Sequence, residues 1–138
     1  MSNIIPSNNI EAIELELNEN TFVRNTNKAN NEIYIVNYHN APNVVLEIGR
    51  LRELSFRYAG GGTGKEADID VYDTAAEPYQ QLVVWDPERQ EILGGYRYIL
   101  TKEAPKDENG MPILATSQLF NYSNHFKKDY LPYLIELG

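Results

Sequence analysis

Arg97 is the residue in this sequence best placed to do chemistry. It stands inside Ile92-Leu93-Gly94-Gly95-Tyr96-Arg97-Tyr98-Ile99-Leu100, a strand-like run that puts Leu93 and Ile99 on its own face. A guanidinium buried in such a run must be paired. The counter-charges on offer are the Asp70/Asp73 pair, Glu136 in the last apolar run, or an anionic ligand. The plain alternative is an internal ion pair that ties a loop to a sheet. Arg52 is the second unusual cation: it shares a helix face with Val45, Gly49 and Phe56, four residues before the phenylalanine and beside a glycine that permits close approach.

Three tempting patterns lead elsewhere. Ala59-Gly60-Gly61-Gly62-Thr63-Gly64-Lys65-Glu66 resembles a phosphate loop, but that motif needs Gly where Ala59 stands, Ser or Thr where Glu66 stands, and a strand rather than a helix before it. It reads as a glycine linker. Asp68-Ile69-Asp70-Val71-Tyr72-Asp73 suggests calcium, yet the sixth-position Gly and twelfth-position Glu of an EF-hand loop are missing. It reads as a solvated acidic loop, and no metal is assigned. His39 and His125 lie far apart with no ligand-like spacing and receive no role.

The elements that must position these residues follow from periodicity and punctuation. Twelve of the fifteen asparagines fall within the first 43 residues, so residues 1–30 read as an Asn-rich segment of loops and caps, with a short helix through Ile10, Ile13 and Leu17. Glu32 to Tyr38 is β-branched and aromatic and is expected to be the first strand. A long helix is expected from Val44 to about Tyr58, with Asn40 as cap and Pro42 in its first turn. Its core stripe would be Val44, Ile48, Leu51, Leu54 and Tyr58, and Gly60-Gly61-Gly62 would end it. Residues 59–77 read as an acidic connection. Tyr79–Trp85 and Ile92–Leu100 read as a hairpin joined through Asp86-Pro87-Glu88-Arg89-Gln90. A polar turn over 101–113, a helix from Ser117 to Phe126 capped by Ser117, and a closing strand over 131–138 complete the pattern. The last strand ends without a turn signal or polar tail, which predicts that the chain is truncated at Gly138. No internal repeat is present.

Composition sets the boundaries. The 138 residues are 42% hydrophobic and 23% charged, enough for one folded domain with a core. No cysteine is present, which excludes disulfides, thiolate metal sites and a cysteine nucleophile. The formal charge of −8, from 12 Lys+Arg against 20 Asp+Glu, disfavours nucleic acid as a partner. The first residues lack a basic region followed by a long apolar one, and no window approaches a membrane span, so a cytoplasmic protein is expected.

Taken in order, Arg50-Leu51-Arg52-Glu53-Leu54-Ser55-Phe56, Ala59 to Lys65, Asp68-Ile69-Asp70 with Asp73, Val84-Trp85-Asp86-Pro87, Gly94-Gly95-Tyr96-Arg97 and Leu131 to Gly138 resemble the N-terminal half of GNAT-like N-acyltransferases. The wording is most similar to the bacterial acyltransferases that carry the name hemolysin, relatives of the enzymes that make ornithine and glycine lipids. Acyl-homoserine-lactone synthases share the sparser skeleton. The resemblance covers residues from about 30 onward.

It implies an α/β fold whose mostly antiparallel sheet has about four strands, with one long helix between the first two and short helices elsewhere. It implies acyl transfer from an acyl carrier protein or coenzyme A thioester to a primary amine, for aminolipid or acyl-homoserine-lactone synthesis, with no permanently bound cofactor. Glu136 would be the base or water-positioner. Arg97 would hold a substrate carboxylate or brace the acidic loop. Asp70 and Asp73 would bind the ammonium or pair with Arg52 and Arg97, and Phe56 would pack the substrate cleft. Association with the inner membrane surface and a homodimer through the open sheet edge are further implications, and the 138 residues alone are expected to be inactive. Two other classes compete. A non-catalytic binding module would use the same charges as a closed ion-pair network. A secreted membrane-lytic protein has no support in the residues, which carry no signal, long amphipathic segment or basic face.

Overall fold

The side chain of Asn9 accepts hydrogen bonds from the N–H groups of Glu11 and Ala12 and so starts α1 (Ile10–Glu16) in the computed structural model, which describes residues 1–138. The helix buries Ile13 and Leu17 together, as its period predicts, while Ile10 at its start is 42% exposed and Leu15 lies in solvent. Eight further helices and strands follow: β1 (Phe22–Asn25), β2 (Glu32–Val36), α2 (Pro42–Tyr58), α3 (Val71–Thr74), β3 (Gln80–Asp86), β4 (Glu91–Leu100) and, among short 3-10 turns, α4 (Asn124–Asp129) and β5 (Ile135–Leu137). The five strands form one antiparallel sheet in the order β1-β2-β3-β4-β5. This is the expected α/β architecture, with one strand more than the sequence pattern gives. The extra strand, β1, is an exposed four-residue edge in the Asn-rich segment, and an edge without a buried face writes no alternation into its sequence. α2 therefore follows the second strand rather than the first.

α2 carries two corrections. Asn40 does not cap it: the Asn40 side chain accepts from Asn37 N–H at 2.9 Å, closing the turn that ends β2. Glu16 takes its place from the end of α1, accepting from the N–H of Asn43 at 3.1 Å and of Val44 at 2.9 Å. A carboxylate at a helix N-terminus satisfies orphan donors and opposes the helix dipole at once. The buried stripe also differs. Val44, Val45, Glu47, Gly49 and Glu53 are buried, whereas Leu54 is 47% and Tyr58 96% exposed. Two carboxylates replace apolar residues in the buried face because each has cationic and N–H partners there.

Val44 and Val45 join Ile13, Leu17, Tyr34, Val36, Ala41, Val83 and Trp85 in the main core. On the sheet, Gln81, Val83 and Trp85 point inward from β3, and the register places Gln81 opposite Arg97 and Ile99 opposite Glu136. Arg97, Ile99 and Glu136 thus lie on the same buried face. A bulge between Val84 and Trp85 offsets the near half of β4, so Leu93 is 48% exposed. A second core of Tyr79, Ile99, Ala104, Leu114 and Leu131 supports β5.

The C-terminal third departs most from expectation. In place of a helix over Ser117–Phe126 there is a 3-10 turn at Ala115–Gln118, then α4, capped by Ser123, which accepts from Phe126 N–H at 3.1 Å. Ser117 instead accepts from the preceding Leu114 N–H. Pro132 holds Leu131–Tyr133 in a 3-10 turn, which shortens the last strand to three residues. No helix is long and apolar enough to cross a membrane.

Candidate active site

Gly94 and Gly95 strip two side chains from β4 where the C-terminal half of α2 faces it, and a cleft of about 520 Å³ remains, lined by Arg52, Ser55 and Phe56 of α2, by Gln81 and by Arg97 and Gly138 among others. Only glycine is possible at 95, since a Cβ there would collide with the Leu82 carbonyl oxygen. A Cβ at 94 would meet nothing within 4 Å. Phe56 is half exposed on the cleft wall.

The Arg97 guanidinium forms the charged end of this cleft. Its Nη1 lies 2.8 Å from Asp70 Oδ1 and 3.1 Å from Asp73 Oδ1. The acidic connection that supplies these partners contains a helical turn absent from the sequence reading. Asp70 caps α3 by accepting from the N–H of Tyr72 and Asp73, and Asp73 Oδ2 reciprocates by accepting from Asp70 N–H at 3.0 Å. Asp73 is fully buried, and its Oδ1 also accepts from Gln81 Nε2 at 2.9 Å. Arg52 bridges Asp68 at 3.2 Å and Asp73 at 3.8 Å. Of the choices open to the two aspartates, the structure brings them to Arg97 and Arg52, behind the cleft wall. Tyr79 and Tyr72 flank the guanidinium, with ring centroids 5.3 and 5.9 Å from Arg97 Cζ.

Electrostatics keep Arg97 and Asp70 ionised. Burial alone would lower the proton affinity of Arg97, but the hydrogen bond to Asp70 and the charge of Asp73 outweigh it and raise the pKa above its ordinary value. Partial burial would raise Asp70, yet the Arg97 hydrogen bond and charge hold it below the usual carboxylate range. Arg97 Nε, by contrast, is buried and has no hydrogen-bond partner. It adjoins Gly138, where a Cβ would lie 2.9 Å from it.

Glu136, the other counter-charge on offer, does not reach Arg97 and faces a separate cavity. Tyr79 spans the gap, with its ring against the guanidinium and its hydroxyl donating to Glu136 Oε1 at 3.0 Å. Thr116 adds its N–H to Oε1 at 3.1 Å and its hydroxyl to Oε2 at 3.2 Å. Glu136 opens instead on a smaller cavity of about 220 Å³ lined by Thr116, Phe120, Tyr122 and Leu134 among others. Sequence reasoning gave no role to Asp68, Gln81, Tyr79 or Thr116. Asp68 stood in the acidic run it singled out, and Gln81 was a polar residue on the inward period of β3; Tyr79 and Thr116 carried no signal.

The glycine linker has its own explanation. Glu53, fully buried in α2, accepts from Thr63 N–H at 2.9 Å, Thr63 Oγ1 at 2.7 Å and Gly64 N–H at 2.8 Å, and pairs with Arg57 at 2.7 Å. Gly62, at φ +100°, makes the turn possible. The loop's anion-facing N–H groups thus hold a carboxylate of the chain itself. Thr63 above all, then Arg57, depress the Glu53 pKa to about 2. His39 Nε2 lies beside the carbonyls of Ala75 and Ala76, and His125 pairs with Asp129 on the surface, both apart from either cavity.

Residues 51–138 match the acetyltransferase (GNAT) domain family. Two curated relatives align along the whole chain: glycine N(alpha)-acyltransferase of Phocaeicola vulgatus, 56% identical, and glycine N(alpha)-acyltransferase of Bacteroides thetaiotaomicron, 57% identical. The chain spans 42% and 41% of their respective lengths. No solved structure matches it.

Proposed function

The chain belongs to the acetyltransferase (GNAT) domain family, and from that premise we propose that it carries the acceptor-binding and base-bearing part of an N-acyltransferase. The donor is an acyl thioester of acyl carrier protein or coenzyme A. The acceptor is glycine or another small amino acid, and the N-acylated product feeds aminolipid synthesis. The observation that carries this reading is the partnerless Nε of Arg97 at the cleft wall. A buried donor left unpaired is costly, and an incoming carboxylate would relieve it. The surrounding cluster sets two cations, Arg52 and Arg97, against three carboxylates, Asp68, Asp70 and Asp73. A zwitterionic amino acid suits that balance: its carboxylate goes to Nε and its ammonium meets the surplus negative charge.

Amide formation requires a neutral amine, an oriented thioester carbonyl and loss of one proton as the C–N bond forms and the C–S bond breaks. Glu136 is the base. Tyr79 links it to Arg97, with its ring on the guanidinium and its hydroxyl on the Glu136 carboxylate. Phe56 packs the cleft around the substrate. The names of the two relatives support glycine as the acceptor.

The test uses the enzyme at its native length with an acyl-coenzyme A donor and compares glycine with methylamine, which has no carboxylate. Arg97→Lys retains a charge but loses the fork, and it is expected to raise KM for glycine about 10-fold, equivalent to roughly 1.4 kcal/mol, while leaving methylamine turnover unmoved. An unchanged KM for glycine would remove Arg97 from acceptor binding.

A further inference from the structure

We propose that Thr116 and Tyr122 form the proton outlet of Glu136, carrying the acceptor's proton from the buried carboxylate to water. This rests on the reading of Glu136 as base.

Glu136 is 8% exposed and no cation lies within 4 Å of it, so a proton placed there needs a path out. Two hydroxyls touch the carboxylate. Tyr79 offers no exit: it is 1% exposed, its oxygen already accepts from Ala115 N–H at 2.8 Å, and its ring is packed against Arg97 and Tyr72. Thr116 does. Its hydroxyl donates to Oε2, which obliges the Tyr122 hydroxyl, hydrogen-bonded to the same Thr116 Oγ1, to be the donor in that pair. The result is a directed chain from Tyr122 through Thr116 to Glu136. Tyr122 is half-buried and lines the cavity beside Phe120, which is 62% exposed, so the outer end of the chain reaches solvent.

The step balances. The acceptor nitrogen gives one proton to Glu136 Oε2. After the two hydroxyls rotate, Glu136 passes that proton to Thr116 Oγ1, Thr116 passes its own to the Tyr122 oxygen, and Tyr122 releases one to water. Glu136 returns to the carboxylate and each hydroxyl keeps one proton. Hydroxyl rotation is fast compared with turnover.

The experiment measures thiol release from acyl-coenzyme A with glycine in the enzyme at its native length, with and without added imidazole as a diffusible proton carrier. Thr116→Val keeps the backbone donor to Glu136 but breaks the chain. Its kcat is expected to fall about 10-fold or more and to recover as imidazole is raised, with little change in KM for glycine. Thr116→Ser should restore the rate without imidazole. Tyr122→Phe, which lies outside the contact with Glu136, should show a smaller loss with the same recovery, and it carries the test if the valine variant folds poorly. A Thr116→Val enzyme at the parent rate, or one slowed but indifferent to imidazole, overturns the outlet. Glu136→Gln separates the two ideas: a parent-like rate there defeats the base assignment itself, whereas a slow Glu136→Gln beside a normal Thr116→Val defeats only the outlet.

Discussion

Asp73 and Asp70 stand three residues apart and face the same guanidinium, but their surroundings make them unequal. Both oxygens of Asp73 accept hydrogen bonds, Oδ1 from Gln81 and Oδ2 from Asp70 N–H, with Arg97 beside Oδ1, and the side chain is out of contact with solvent. An amide at 73 would turn its NH₂ toward one of these donors. Asp73→Asn is therefore expected to destabilise the fold by about 3 kcal/mol, as breaking a buried charge cluster does. Asp70 directs Oδ1 at Arg97 and at two N–H groups while its side chain stays 34% exposed. Asp70→Asn can keep Oδ1 as acceptor with its NH₂ toward water and should cost about 1 kcal/mol, the scale of a helix cap. Equal denaturant midpoints for the two variants would contradict this division.

Among the elements, α2 shows how a helix can look capped by its neighbours in sequence and be capped by another part of the chain. Glu16 lies 27 residues before Asn43, and its carboxylate serves both Asn43 and Val44. Glu16→Ala is expected to cost about 1 kcal/mol and to loosen the packing of α1 on α2, which hydrogen exchange at the first turn of α2 would register. Asn40→Ala should leave that turn protected. The strands were easier to read than the caps: the β3–β4 hairpin was legible from its alternation and its Asp86-Pro87 turn. α3 was not, because four residues carry no helical period and the aspartate cap is indistinguishable from any acidic loop residue until the partner N–H groups are known.

At the level of the whole molecule, stability toward acid depends on carboxylates whose folded pKa lies below its unfolded value. Glu53 is held at about 2, against roughly 4.3 for a free glutamate. A depressed carboxylate stabilises the fold fully above the unfolded pKa, and that contribution is lost as pH falls through the folded one. Asp70 acts in the same direction. The melting-temperature gap between the parent and Glu53→Gln should be widest near neutrality and should close as pH falls from about 4 to about 2. A gap independent of pH would mean that Glu53 acts by shape alone. Because Glu53 also fixes the loop through Thr63 and Gly64, and Arg57 reaches back to the carbonyl oxygen of Ser2 at 2.8 Å, the whole N-terminal edge shares in the effect.

The sequence by itself determined the fold class, the long helix, the hairpin, and the need of Arg97 for counter-charge, because hydrophobic period, glycine and proline punctuation, and the cost of a lone buried cation are all local to a few residues. Tertiary structure alone decided which acids answer Arg97 and which do not. Asp70 and Asp73 reach it because a four-residue helix turns them inward, while Glu136, on the same sheet face, is held away by the Tyr79 ring and by hydrogen bonds from Thr116. Distances between side chains far apart in sequence depend on how elements pack, and packing leaves no periodic trace along the chain.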